Sequence, residues 1–206
     1  MNSRIEELYK KAFILSIITI LYNLAEGAVA TWLGYSDKTL ALFGFGLDSF
    51  VEIISGIGIA HMILRFKKNN YSSDNGFEIL ALKITGTAFY ILAAGLSVTI
   101  YLNITNRYVP ESTFWGIIIS SISILTMSFL IFAKEKIGKE LNSKPILADA
   151  KCTKACLMMS VILLASSAVY ELSGMPFVDS IGAAWIVFYS YREGKESFAK
   201  AREEDC

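Results

Sequence analysis

Cysteine, proline and histidine are scarce in this sequence, at three, three and one. The cysteines (Cys152, Cys156 and Cys206) are odd in number and two of them lie inside an apolar stretch, which excludes a disulfide framework. Pro110, Pro145 and Pro176 all fall at expected helix starts, where a missing backbone N–H is harmless. The single histidine, His61, lies a turn before a basic stretch and reads as an interfacial residue. No enzyme triad, phosphate-binding loop or low-complexity segment is present, and the basic residues leave no nucleic-acid footprint. The first apolar run follows Lys10 and Lys11, contains Asn23 and Glu26, and has no small-residue cleavage site. It is therefore expected to be a retained helix rather than a signal peptide. Net charge is absent too, with 19 basic and 19 acidic residues, but that balance hides a segregation along the chain.

Apolar length is what the sequence has in quantity. Of its 206 residues, 54% are hydrophobic. Six runs, at about 12–33, 39–65, 77–103, 113–133, 146–170 and 176–192, approach or exceed the roughly 20 residues of helix that cross a hydrocarbon layer. The expected architecture is an all-α integral membrane protein with six transmembrane helices over residues 1–192 and a short charged tail over 193–206. Lysine and arginine crowd one side of that arrangement: Arg4, Lys10 and Lys11, then "RFKKNN" (65–70), "KEKIGKELNSK" (134–144) and the residues after 192. The loops on the other side hold only Lys38 and Arg107. Short cytoplasmic loops are the basic ones, so both termini are expected in the cytoplasm, across a bacterial inner (plasma) membrane. Trp32, Tyr35, Tyr101, Tyr108 and Trp115 near the run ends read as interface anchors, and Lys83, Lys151 and Lys154 as snorkelling side chains.

Acids deep in the runs have no such excuse. A carboxylate at mid-membrane costs on the order of 2.5 kcal/mol or more unless it is paired, protonated or facing water, so Glu26, Asp48 and Glu52 are functional candidates. Asp48 and Glu52 are i and i+4 and share a helix face, an arrangement relieved by a divalent cation or by shared protons. In the fifth run, Asp149, Cys152 or Thr153, Cys156 and Ser160 form a stripe at helical spacing. Two carboxylates facing two thiols would offer four ligands to a tetrahedral ion such as Zn²⁺ or the softer Cd²⁺. Asn23 and Glu26, i and i+3, could line the same cavity. Asp179, near the start of the sixth run, is either a first-turn acid favoured by the helix dipole or a late station on an ion route. Gly44, Gly46, Gly56 and Gly58 would let helices approach closely around the acidic pair, and the serines of "SSISILTMS" (120–128) read as packing.

Together these residues resemble the cation diffusion facilitator family, over nearly the whole chain. In that family's pattern the second span carries two acidic or histidine ligands four residues apart, matched here by Asp48 and Glu52. The fifth carries Ala-Asp-x-x-His-x-x-x-Asp, matched by "ADAKCTKAC" (148–156) with Cys152 and Cys156 in the histidine and aspartate places. The "FGLDSxxE" and "ADAKCT" blocks and "YREG" (191–194) are similar to a short branch of the family. The resemblance implies export of a divalent cation from the cytoplasm in exchange for protons by alternating access. Asp48, Glu52, Cys152 and Cys156 would be the metal ligands, and Glu26, Asn23, Asp149 and Asp179 supporting or proton-coupling groups. The metal would be cargo, with no permanently bound cofactor; the expected partners are the ion, protons, the lipid bilayer and a second copy of the chain. Most members carry a ferredoxin-like cytoplasmic domain after the sixth span; without one, a homodimer is expected to form through the membrane helices. Cysteine in place of histidine and aspartate shifts the expected preference toward softer ions. A metal-binding sensor or scaffold without flux and an importer on the same scaffold remain alternatives. A dithiol oxidoreductase is disfavoured, because i, i+4 on a helix is poor spacing for a disulfide and no redox CxxC occurs.

Overall fold

The computed structural model describes residues 3–68, 75–106, 111–175 and 177–203. Six helices follow one another: α1 (Ser3–Ser36), α2 (Leu40–Lys68), α3 (Asn75–Asn106), α4 (Phe114–Glu140), α5 (Lys144–Ser173) and α6 (Phe177–Glu203). No strand occurs among the described residues. Pro145 takes the first turn of α5 as expected. Pro110, Pro176, Arg107, Tyr108 and Cys206 lie outside the described residues, as do positions 69 and 70 of the basic stretch.

Every helix outruns its apolar stretch somewhere. α1 begins at Ser3 rather than near 12, α4 continues past 133 to Glu140, and α6 passes 192 to Glu203, so residues 193–203 of the expected tail are helical. Hydropathy marks the part of a helix that meets lipid, whereas backbone hydrogen bonding continues into the polar flanks. There i, i+4 ion pairs support it: Glu7–Lys11 at 2.7 Å, Glu135–Lys139 at 3.0 Å and Glu196–Lys200 at 2.9 Å.

Helices α1 to α5 are each long and apolar enough to cross a membrane. In α6 the apolar part runs from Phe177 to Arg192, which it meets after 15 residues, about 22 Å of rise. It nevertheless exposes Ile181, Trp185 and Phe188. Around the bundle the exposed residues are those suited to acyl chains, among them Leu125, Phe129 and Phe132, with Trp32, Tyr35, Tyr101 and Trp115 exposed near the helix ends. Lys83, Lys151 and Lys154 are exposed as well. This is an α-helical integral membrane protein.

Pairing follows α1 on α2, α4 on α5 and α3 on α6, with α2 in the middle, also touching α3, α5 and α6. The apolar window of α2 is 61% buried, against 33–39% for the other four. A helix so enclosed is where a membrane protein can keep carboxylates. Phe45, Leu96, Met127, Leu130, Met159, Leu163 and Ile186 form the dry core around it. Arg4 meets Glu140 at 3.3 Å, joining the start of α1 to the end of α4 at the basic end. At the opposite end the Glu111 N–H donates to Asp37 O (2.9 Å) and the Thr39 hydroxyl to Ser112 O (3.0 Å). There too the Lys38 ammonium, 2.6 Å from Glu111, holds that carboxyl below the usual range.

Small residues set the distance of α2 from its neighbours α1 and α3. A Cβ on Gly46 would lie 2.5 Å from both the backbone nitrogen and the Oγ1 of Thr31, and one on Gly44 would lie 2.8 Å from a Leu96 methyl. Overpacking of this kind costs typically about 1–3 kcal/mol. Gly46→Ala is therefore expected to lower the thermal midpoint in detergent by several degrees, whereas alanine at Gly95, where an added Cβ meets nothing within 4 Å, is expected to leave it in place.

Candidate cation site

Helix α2 carries Asp48 and Glu52 one turn apart, about 12 and 18 Å along from Leu40. Cys156 lies about 18 Å along α5 from its opposite start at Lys144. The two helices run in opposite senses and touch, so the acids and the thiol meet in the middle of the bundle. All three are buried, at 2%, 4% and 1% exposure. The Cys156 thiol lies beside both carboxyls.

Glu52 is the pivot. Its Oε1 accepts the hydroxyl proton of Thr153 at 2.5 Å, while its Oε2, fully buried, has no hydrogen-bond partner. Thr153 Oγ1 in turn accepts from the Lys134 ammonium at 2.8 Å. That ammonium stands 2.9 Å from Asp149 Oδ2 and 3.9 Å from Glu52 Oε1, and Lys134 is itself only 2% exposed. Asp149 Oδ1 accepts from Ser55 of α2 at 2.8 Å. Measured along their helices, Lys134 and Asp149 attach about 8–9 Å from the basic end, nearer to it than Cys156. The site is thus layered: a lysine–aspartate pair toward the basic end, then Glu52, then Asp48 with Cys156.

The two cysteines part company. The buried stripe of α5 runs Asp149, Thr153, Cys156 and Ser160, and it is Thr153 that faces Glu52. Cys152 is only partly buried and lies beside Ser55 and Asp149. Among the described residues no three His, Cys, Asp or Glu side chains stand ready to hold a metal ion. Side-chain rotation in Asp48, Glu52 and Cys156 would have to precede coordination.

Glu26 belongs to a second polar layer. Its Oε1 accepts from Tyr22 at 2.8 Å and its Oε2 from Ser49 of α2 at 3.0 Å, with Ser123 of α4 also in reach. Ser123 and Ser160 share a hydrogen bond at 2.9 Å, and Ser160 donates to Cys156 O at 2.9 Å. Asn23 donates from Nδ2 to Thr19 O at 2.9 Å and leaves Oδ1 buried without a partner. Asp179 lies at the far end: its carboxylate accepts from the backbone N–H groups of Leu40 (2.8 Å) and Ala41 (3.2 Å), closing the N-terminus of α2 across from α6. Those contacts make it an inter-helix cap, about 12 Å of helix away from Asp48.

Lys134 is the residue that the sequence reading misplaced, in the basic loop after 133. Helical spacing could have found it, since Ser123, Met127, Leu130, Lys134 and Ile137 form the buried stripe of α4. Ser123, read as packing, was missed as a neighbour of Glu26 because nothing in α4 alone reveals what an adjoining helix presents.

The chain matches no protein-family model. It is similar to an uncharacterized transporter of Methanocaldococcus jannaschii, at 24% identity over 169 residues. That alignment takes in 80% of this chain but only 59% of the archaeal protein.

Proposed function

We propose that the protein transports a divalent heavy-metal cation across the membrane, with Zn²⁺ or the softer Cd²⁺ as cargo, exchanged for protons. The observation that carries this reading is the meeting of Asp48, Glu52 and Cys156 at mid-bundle, with a buried carboxylate oxygen of Glu52 left without a partner. Carboxylates and a thiol at that depth suit a borderline-soft ion. Similarity to a protein named as a transporter supports movement of a solute, and the resemblance of the α2 and α5 blocks to cation diffusion facilitators supports a metal.

Proton exchange follows from the donor set. A thiol binds metal as thiolate, and a protonated carboxyl must also lose its proton, so loading releases protons and reprotonation expels the ion. Cys156 and the acidic pair are the ligands in this reading, with Cys152 joining them on rearrangement. Glu26 and its hydroxyl neighbours take protons one layer away, and Asp149 balances Lys134. Export from the cytoplasm is the direction that an inward proton gradient would drive.

Flux of Zn²⁺ and Cd²⁺ into proteoliposomes under an imposed pH gradient tests this. Uptake that needs the gradient and is lost in Cys152→Ala/Cys156→Ala supports the reading. Saturable binding without flux would make the protein a metal-binding scaffold, and unchanged flux in the double variant would overturn the ligand assignment.

A further inference from the structure

A lysine sealed inside a membrane bundle demands an account of its own. An unpaired ammonium there is costly, and one that served only to neutralise Asp149 would need no other anion. Lys134 is shared. It pairs with Asp149 Oδ2 at 2.9 Å, donates to Thr153 Oγ1 at 2.8 Å and stands 3.9 Å from Glu52 Oε1. The Thr153 hydroxyl reaches that same Glu52 oxygen at 2.5 Å, its nearer acceptor, with Asp149 O at 3.2 Å. One oxygen of Glu52 therefore belongs to the lysine network, while the other has no hydrogen bond.

We propose that Lys134 sets the affinity and charge selectivity of the cation site, as a resident ammonium holding the basic-end half of Glu52 while an incoming ion takes the other half. The proposal rests on reading Asp48, Glu52 and Cys156 as that site. Coulomb repulsion scales with the product of the charges, so the fixed ammonium opposes a divalent ion twice as strongly as a monovalent one at the same place. Without it, two or three buried anions would hold a divalent ion too tightly to let it go. With it, affinity is capped and release is eased. Asp149 keeps the ammonium in position and charged, with Ser55 fixing the other Asp149 oxygen.

Isothermal titration of the purified full-length chain with Zn²⁺ decides the matter. Lys134→Met is expected to bind at least tenfold more tightly than wild type, and Lys134→Arg, which keeps the charge, to lack that gain. A lysine with a merely structural role would give the opposite sign, weaker binding in Lys134→Met, and that result, or equal binding, overturns the proposal. Should Lys134→Met fail to fold, Lys134→Gln, which loses the charge and keeps a donor for Thr153 and Asp149, is compared with wild type. At least tenfold tighter binding in Lys134→Gln supports the proposal; a smaller gain, equal binding or weaker binding overturns it. Absence of Zn²⁺ binding in wild type and every variant removes the cation site itself, an outcome distinct from a wild-type site that ignores Lys134.

Discussion

Glu52→Gln is expected to reduce Zn²⁺ flux in proteoliposomes by about a hundredfold or more, with the fold intact. Loss of a residue that merely supports a metal ligand weakens binding or activity by about 10–100-fold, so loss of a ligand belongs at or beyond the top of that range. Glutamine preserves the volume and one acceptor oxygen, so Thr153 can still donate to it. What disappears is the negative charge next to Asp48 and Cys156. Asp48→Asn is expected to behave likewise. Both variants should run as monodisperse particles on size exclusion: neutralising Asp48 removes a desolvation cost, and in Glu52→Gln the Lys134 ammonium keeps its closer counter-charge, Asp149 at 2.9 Å. Flux within threefold of wild type in either variant would exclude that acid from the transport route.

Asp149→Asn is expected to produce the largest loss of stability. Its carboxylate is the closest counter-charge of an ammonium with almost no solvent contact. Removing one partner of a buried ion pair costs about 3–5 kcal/mol, because the other charge is left uncompensated. Glu52 at 3.9 Å is a second anion and holds the expected loss to the lower part of that range. Unfolding in mixed micelles measures it. In a double-mutant cycle, Lys134→Met/Asp149→Asn should recover much of what Asp149→Asn loses, since both charges go together. Additive losses would mean that the two side chains do not depend on one another. The exposed Lys38–Glu111 pair is the contrast: Glu111→Gln there should change little, as surface ion pairs seldom contribute more than about 1 kcal/mol.

Most of the architecture could be read from the sequence because lipid imposes a simple code. Long apolar runs must be helices, since no water satisfies the backbone there. The helix ends were harder to read: toward Ser3, Glu140 and Glu203 the sequence turns rich in charge, and backbone hydrogen bonds with i, i+4 ion pairs carry each helix past its apolar run. Asp48 and Glu52 announced themselves because carboxylates stand out against an apolar background. Lys134 did not, since a lysine just past an apolar run has the same appearance whether it reaches headgroups or turns inward. What turns it inward is Asp149 on a different helix, a contact separated by 15 positions and invisible to local pattern. The same holds for Asp179, whose cap on Leu40 and Ala41 spans 138 or 139 positions. For the two cysteines, spacing gave both equal standing; burial favours Cys156 over Cys152.

X-ray absorption of the Zn²⁺-loaded protein, wild type beside Cys156→Ser, tests most directly whether α2 carboxylates and an α5 sulfur hold one ion. The account predicts mixed coordination in wild type, with a sulfur shell near 2.3 Å and oxygen near 2.0 Å, and a clear loss of sulfur in Cys156→Ser. An oxygen- and nitrogen-only shell in wild type, or a sulfur shell undiminished by the substitution, would contradict it.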